Sequence, residues 1–471
     1  MDPLAECGGG SIEADHLCVL VHGLWGNPNH MASVARTLRA QHPRDKLYIL
    51  VAKRNSGSFT YDGVELGGER VCHEIEEELK AIADKGGKIK KLSVVGYSLG
   101  GLVGRYAIGL LYARGVLDGL ECMNFTAFAS PFLGVRSPRR GWWSRVFNGM
   151  GPRTLSRSGQ QLFGVDKFRD TGKPLVAVMA DPKSIFMSGL ARFKRHTLYA
   201  NITNDKTAVY YTTSISKTDP FTDLDNIKVN FVKGYDDVIL DPVNPIAEMP
   251  NQDATGVNPP QPVPVTAAMK KQLRQMGFSL ALTVLVPIGV VAYLTNAVIQ
   301  TVRSSWRVKL HERGLAGIDI ETFRRVNLWK INEIREAVED AYEEMNNSQD
   351  QDYLASSSTS SDSDSLSRQR GKKIPNGGVV GDESDDDDDD DPTMILALER
   401  KQSRPSEPTL ALAPYQFEAI KTLDSLNWRK YRVWIHNDNH THAAIVVRME
   451  KPSFDEGKVV LNHWVKDEFL C

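Results

Sequence analysis

Gly96-Tyr97-Ser98-Leu99-Gly100 lies between a short apolar run, Lys91-Leu92-Ser93-Val94-Val95, and a helical pattern that begins at Gly101 and reaches about Arg114. A strand that enters a helix through G-x-S-x-G must turn sharply, and the turn lifts the serine Oγ to where an imidazole can reach it. The neighbours must be small because strand and helix pass close together, a requirement that Gly96, Gly100 and Gly101 meet. A bare pentapeptide of this form arises by chance in roughly one chain in six of this length. The reading therefore depends on what else the chain supplies.

In strand–turn–helix context the pentapeptide is the nucleophile elbow of an α/β-hydrolase fold, an α/β architecture with a mostly parallel sheet. Leu17-Cys18-Val19-Leu20-Val21, a second buried-strand pattern, runs directly into His22-Gly23-Leu24-Trp25-Gly26. This is where the fold places the other half of an oxyanion hole, so the backbone N–H groups of Leu24 and Leu99 are the expected donors. An acid and then a base should follow, each after a later strand. His196 to Ile202 reads as a strand ending in the polar turn Thr203-Asn204-Asp205, which makes Asp205 the candidate acid. Rival carboxylates are Asp236 and Asp237 after Val229-Asn230-Phe231-Val232, and Asp181 after Leu175-Val176-Ala177-Val178. Tyr431 to His436 alternates as a half-buried strand does, ahead of Asn437-Asp438-Asn439-His440-Thr441-His442. His442, beside the apolar run Ala443 to Val447, is the candidate base; His440 is the alternate and His436 a more distant one. No cysteine or second histidine pair stands at ligand spacing nearby, so neither a metal nor a cofactor is expected.

The stretches HGLWGNP, NSGSFTYDGVELGGERV, VVGYSLGGLVGRYAIG, YANITNDKTAVYYTTSI and THAAIVVR resemble the putative serine esterase family of α/β-hydrolases, over roughly residues 15–240 and 415–450. Within it they are most similar to fungal members, which include a lipid-droplet phospholipase of yeast. The resemblance puts Ser98, Asp205 and His442 in the catalytic positions and implies hydrolysis of acyl esters of phospholipids with broad head-group tolerance. Ser130-Pro131-Phe132-Leu133-Gly134 departs from the T-P-H-L-G common among relatives, with Phe132 where they carry a histidine, a change to the local pocket wall and not to the triad. Neutral-glyceride lipase and protein thioesterase activities would use the same triad. A non-catalytic lipid-surface adaptor on the same scaffold is the reading of another class.

The rest of the chain divides by composition. Residues 1–240 are expected to hold the hydrolase core, with a basic lid insertion in which Arg136, Arg139, Arg140, Arg145, Arg153 and Arg157 alternate with Trp142, Trp143 and Phe147. No nucleic-acid-binding motif accompanies these arginines, so nucleic acid is not an expected partner. Residues 241–346 begin as a proline-rich linker and contain Phe278 to Ile299, which carries no charge and is flanked by basic residues. Pro287 breaks that segment, and a single crossing would separate Ser98 from His442, so a hairpin or in-plane membrane anchor is expected. Glu321 to Asn346 reads as a surface helix. Residues 347–410 read as a disordered serine- and aspartate-rich insert, and 411–471 as the segment that returns the last strand and the histidine. Without the seven charges of Asp385 to Asp391, the formal net charge of −2 becomes +5. Five scattered cysteines show no disulfide framework, and the first residues show no basic-then-apolar leader pattern. The expectation is a reducing, cytosol-facing setting at the surface of a lipid droplet or the endoplasmic reticulum.

Overall fold

The computed structural model describes residues 3–136, 138, 142–224, 227–235, 237–247, 294–311, 353–354, 392–403 and 408–471, with the side chains of 142–147, 170, 392–394, 397 and 401 outside that description. Six strands form one sheet: β1 (His16–Val21), β2 (Leu47–Val51), β3 (Lys91–Tyr97), β4 (Glu121–Phe128), β5 (Arg195–Asn201) and β8 (Arg429–Val433). Their order across the sheet is β2-β1-β3-β4-β5-β8, and every neighbouring pair is parallel. A separate antiparallel pair joins β6 (Lys228–Val229) to β7 (Ile246–Ala247).

Strands covered on both faces must be apolar throughout, and β1 is buried at all six positions. Its successive side chains feed different layers. Leu17, Val19 and Val21 enter one apolar cluster with Val71, Ile75, Leu102 and Val103, from the helices Gly63–Asp84 and Leu99–Ala113. Cys18 and Leu20 enter the other, with Val34 and Leu38 from the helix Ala32–Gln41 and Leu461 from Asp455–His463. This three-layer arrangement, with the elbow on a central strand, is an α/β-hydrolase fold. The last strand comes from far along the chain: β8 pairs with β5 from Thr197↔Arg429 to Asn201↔Val433.

Several elements differ from the sequence-based expectation. Leu175–Ala180 is a short helix and not a strand, because an apolar run this brief fits either state until packing decides. Of the expected Val229 to Val232 strand only Val229 is paired as a strand, within Lys228–Val229, and β8 stops at Val433, ahead of His436. Inside the segment expected to be disordered, Pro392–Gln402 is helical, and Tyr353 bridges Leu410. Ile395 and Leu396 pack on the main apolar cluster, and Glu399 pairs with Lys217 at 2.8 Å. Phe278, Pro287, Asp236, the acidic run, the Glu321 to Asn346 segment, Arg139 and Arg140 lie outside the described residues. Ile299 falls in a helix over residues 294–311. Among the described residues, no helix is long and apolar enough to cross a membrane.

Candidate active site

β3 leads into the helix Leu99–Ala113 through Ser98, whose backbone sits at φ 55° and ψ −128°. That is left-handed territory which an ordinary residue enters only under constraint. The constraint is steric and local. A Cβ on Gly96 would strike the Gly101 backbone, and one on Gly100 would strike the carbonyl oxygen of Val21. The Ser98 amide donates to Phe128 O at 2.9 Å, tying the elbow to β4.

Ser98 Oγ donates to His442 Nε2 at 2.9 Å, and His442 Nδ1–H donates to Asp205 Oδ2 at 2.9 Å. The tautomer follows from the carboxylate, which can only accept. Both partners are nearly sealed from solvent, with side-chain exposures of 4% for His442 and 2% for Asp205. Asp205 also accepts from Asn201 Nδ2 at 2.9 Å and from the Ala208 amide at 2.8 Å, so its carboxylate is fixed from three sides. His442 sits on the single helical turn Thr441–Ala444. Tyr97 Oη donates to the His442 carbonyl oxygen at 3.0 Å, and Thr441 Oγ1 donates to Thr203 O at 3.0 Å.

The structure thus brings Ser98, Asp205 and His442 into one hydrogen-bonded line. It leaves His440 and Asp237 at exposed positions outside that line, and His436 paired with Glu456. Asp181 follows the mostly buried helix Leu175–Ala180 and accepts from the Lys183 amide at 2.8 Å, outside that line. Among the described residues, no group of three or more His, Cys, Asp or Glu side chains could hold a metal ion.

Leu24 and Leu99 line a cleft beside Ser98, together with Trp25, Pro131, Leu155 and Leu162. The cleft encloses about 540 Å³ of empty space, its open mouth included. Leu99 is the first residue of its helix, so its N–H has no intrahelical acceptor. On the opposite wall, Gly23 allows the backbone to approach: a Cβ there would lie 2.7 Å from Ser98 Cβ. Trp25 holds this wall at φ 55°, its amide donating to Thr60 Oγ1 at 3.0 Å and its Nε1 to Tyr61 Oη at 2.7 Å. His22, just before Gly23, is buried, and that burial lowers its pKa from 6.5 to about 4 against the opposing hydrogen bond to Gly23 O. It is a neutral packing group near neutral pH. Leu155 and Leu162 come from the stretch expected to be a lid, now seen as the helices Trp142–Thr154 and Ser156–Leu162.

Some contributors carried no readable sequence signal. Tyr97 and Arg448 both line the cleft, although nothing in the spacing of residues marks either one. Asp438 accepts from Lys451 Nζ at 2.7 Å, from Ser453 Oγ and from the His440 amide, closing the loop that presents His442.

The family described as "Putative serine esterase (DUF676)" matches residues 11–218. The family match contains Ser98 and Asp205 and ends well before His442. Curated relatives include the putative lipase YDL109C of Saccharomyces cerevisiae, 29% identical over 52% of this chain and 38% of its own length. The putative lipase ROG1 of the same yeast is 30% identical over 42% of this chain and 28% of its own length. The chain therefore spans well under half the length of these relatives. Similar solved structures include a lipase-esterase related protein from Clostridium acetobutylicum, with 11% identity, 44% and 82% of the two chains covered and a TM-score of 0.26. An alpha/beta hydrolase fold protein from Nakamurella multipartita gives 14% identity, 45% and 80% coverage and a TM-score of 0.23. At such scores the fold rests on the sheet order and the elbow, not on the superposition.

Proposed function

We propose that this chain is a serine ester hydrolase that cleaves acyl esters of glycerophospholipids at a lipid surface. The observation that carries the reading is the line Ser98–His442–Asp205, with both hydrogen bonds at 2.9 Å, set beside an apolar cleft. In the proposed reaction His442 Nε2 takes the Ser98 proton as Oγ attacks the acyl carbonyl carbon. The Leu24 and Leu99 amides hold the oxygen that becomes negative. Asp205 keeps Nδ1 protonated and stabilises the imidazolium without taking its proton. His442 then protonates the leaving glycerol oxygen, and water, deprotonated by the same imidazole, releases the fatty acid from Ser98. Every group needed for this sequence belongs to the chain.

A lipid surface is supported by the helix over residues 294–311. One face is fixed to the core: Ser304 Oγ donates to Tyr61 O at 3.2 Å, and Arg307 Nε and Nη2 donate to the buried Asp62 carboxylate at 2.8 and 2.6 Å. The other face exposes Leu294, Val298, Val302 and Trp306 at successive four-residue steps, with Ile299 beside them, at 36–64% exposure. The stretch contains no acidic residue, and Arg303 and Lys309 flank the stripe, as suits an anionic headgroup layer. Tyr61 joins this helix to the cleft wall, its carbonyl accepting from Ser304 and its hydroxyl from Trp25. A lipid droplet or the cytosolic leaflet of the endoplasmic reticulum is the proposed location.

The test combines fluorophosphonate labelling with product analysis on phosphatidylcholine, diacylglycerol and a thioester. Ser98-dependent labelling with release of fatty acid from phosphatidylcholine is expected. Labelling with turnover of diacylglycerol or thioester alone would replace the substrate, and absence of labelling would favour a non-catalytic adaptor. V302D/W306D should weaken flotation with anionic vesicles while a soluble short-chain ester is still cleaved.

A further inference from the structure

Leu24 and Trp25 are the two central residues of a tight turn, closed where the Gly26 amide donates to Gly23 O at 3.1 Å. A turn whose third residue is left-handed usually has glycine or asparagine there. Here it is Trp25, at φ 55° and buried. Strain of this kind persists only where the surroundings overdetermine it. Much of that constraint comes from one stretch of chain, Gly57–Tyr61 and the Asp62 that follows it. Thr60 Oγ1 accepts from the Trp25 amide at 3.0 Å, Tyr61 Oη accepts from Trp25 Nε1 at 2.7 Å, and the Gly57 amide donates to Gly26 O at 2.8 Å. Among the described residues the Leu24 amide has no acceptor of its own, so the turn that carries it sets its direction.

That stretch is itself held from far along the chain. Arg307, on the helix over residues 294–311, donates to both carboxylate oxygens of Asp62 and, through Nη2, to Ser58 O at 2.9 Å. Ser304 Oγ, one turn earlier on the same helix, donates to Tyr61 O at 3.2 Å. Arg70 approaches as well, donating to Asp62 Oδ2 at 2.6 Å and to Phe59 O at 3.2 Å. The two guanidinium carbons stand 4.9 and 5.1 Å from the centre of the Phe59 ring. The Asp62 side chain has no solvent exposure. A buried carboxylate gripped by planar forks is fixed in orientation as well as in distance, and removal of one fork leaves the remaining charges unbalanced. This node adjoins Tyr61 and lies two residues from Thr60, the two residues that grip Trp25.

We propose that Arg307 is a positioning residue for the oxyanion hole: through Asp62, Thr60 and Tyr61 it holds Trp25, and with it the Leu24 amide, in the direction the reaction needs. This rests on the reading of Ser98 as the nucleophile of an ester hydrolase and of Leu24 as an oxyanion donor. Arg307 touches no substrate and takes no part in bond making. Its effect reaches the reaction through the oxygen that becomes negative after Ser98 attacks, so the rate senses the helix over residues 294–311 while ground-state binding does not.

The test uses the full-length chain, p-nitrophenyl butyrate as a soluble ester and two inhibitors of matched chain length. A trifluoromethyl ketone takes Ser98 Oγ at its carbonyl carbon, the serine proton passes to His442, and the adduct presents an oxyanion; an ether analogue has no carbonyl to attack. Rates are expressed per serine labelled to completion by a fluorophosphonate. Arg307→Gln and Tyr61→Phe should each lower kcat about tenfold with KM little changed, and weaken the trifluoromethyl ketone by the same factor while the ether analogue binds as before. Arg307→Lys should fall between Arg307→Gln and wild type. The double variant should be no worse than the more severe single one, because both changes cut the same path. Tyr61→Phe and Arg307→Lys decide the matter if Arg307→Gln does not fold. Unchanged kcat per labelled serine, even with a lower urea midpoint, would make Arg307 a purely structural residue. Equal weakening of both inhibitors, or additive losses in the double variant, would also overturn the proposal while leaving ester hydrolysis standing. Wild-type protein that neither labels nor cleaves would remove both.

Discussion

The serine and the histidine of the site are held by different means. Around Ser98 the constraint is short-range and steric: small neighbours let β3 and the following helix meet, and no partner beyond the adjacent strands is needed. Around His442 it is long-range and made of hydrogen bonds. Thr441 reaches Thr203, Tyr97 reaches the His442 carbonyl, and Ser33 reaches Val447 across 414 positions of sequence. A serine held by backbone crowding is insensitive to the rest of the chain. A histidine delivered by a segment that returns after more than two hundred residues depends on many separate contacts, each of modest strength.

Ser98→Ala should have the largest effect, a fall in kcat on the order of 10⁴-fold or more, because the remaining residues can then only bind substrate. Steady-state hydrolysis of a short-chain ester measures it, and retention of wild-type rate would remove Ser98 from the mechanism. Gly100→Ala should come next. Its Cβ meets backbone, which cannot swing aside as a side chain can, so a loss of about 3 kcal/mol or more is expected in urea unfolding. If Gly100→Ala is tolerated, the steric account of the serine half fails.

Acid should also act on the serine half. His16 opens β1 and His22 follows it, and burial lowers both pKa values from 6.5 to about 4, with Lys91 adding to the effect at His16. A lowered value means that the native state resists protons which the unfolded chain accepts. Stability is therefore complete above about pH 6.5, falls as pH drops toward 4, and is flat below that. Each group contributes at most about 3 kcal/mol over this window. Urea midpoints at pH 7.5 and 5 should differ accordingly, and His16→Gln should reduce the slope. Equal midpoints would refute the assignment.

This contrast also explains what could be read from sequence. The elbow was legible because its causes lie within a few residues: an apolar strand, three glycines and a helical pattern. The choice of His442 over His440 rested on one local cue, the apolar run Ala443 to Val447 beside it, since both follow the same strand in a polar turn. Burial separates them, and burial depends on contacts with Thr203 and Tyr97 that sequence spacing does not reveal. Arg448 was hidden for a sharper reason. Its turn places valine where a left-handed residue is needed, so the usual glycine signal is missing. The helix Pro392–Gln402 escaped because a short apolar stretch was averaged into a polar, acidic region.

Tyr97→Phe removes the donor to the His442 carbonyl and leaves that buried oxygen without it, for about 1–2 kcal/mol and a several-fold fall in kcat. Substrate affinity should change less, because the ring still lines the cleft.

Ser33→Ala is the smallest test and separates the two halves most cleanly. Ser33 is 9% exposed and lies in the helix Ala32–Gln41, far in sequence from the turn it steadies. Removing one hydroxyl should cost about 1 kcal/mol, because the Val447 carbonyl loses its partner while packing is otherwise kept. If the histidine half is held by separate long-range contacts, part of that loss will appear as local opening of the turn. Amide exchange at Val447 and Arg448 should then accelerate several-fold, while exchange in β3 follows only the small change in global stability. Equal acceleration in both places would mean that the two halves open as one unit, and the division between steric and hydrogen-bonded support would no longer describe how the site is held.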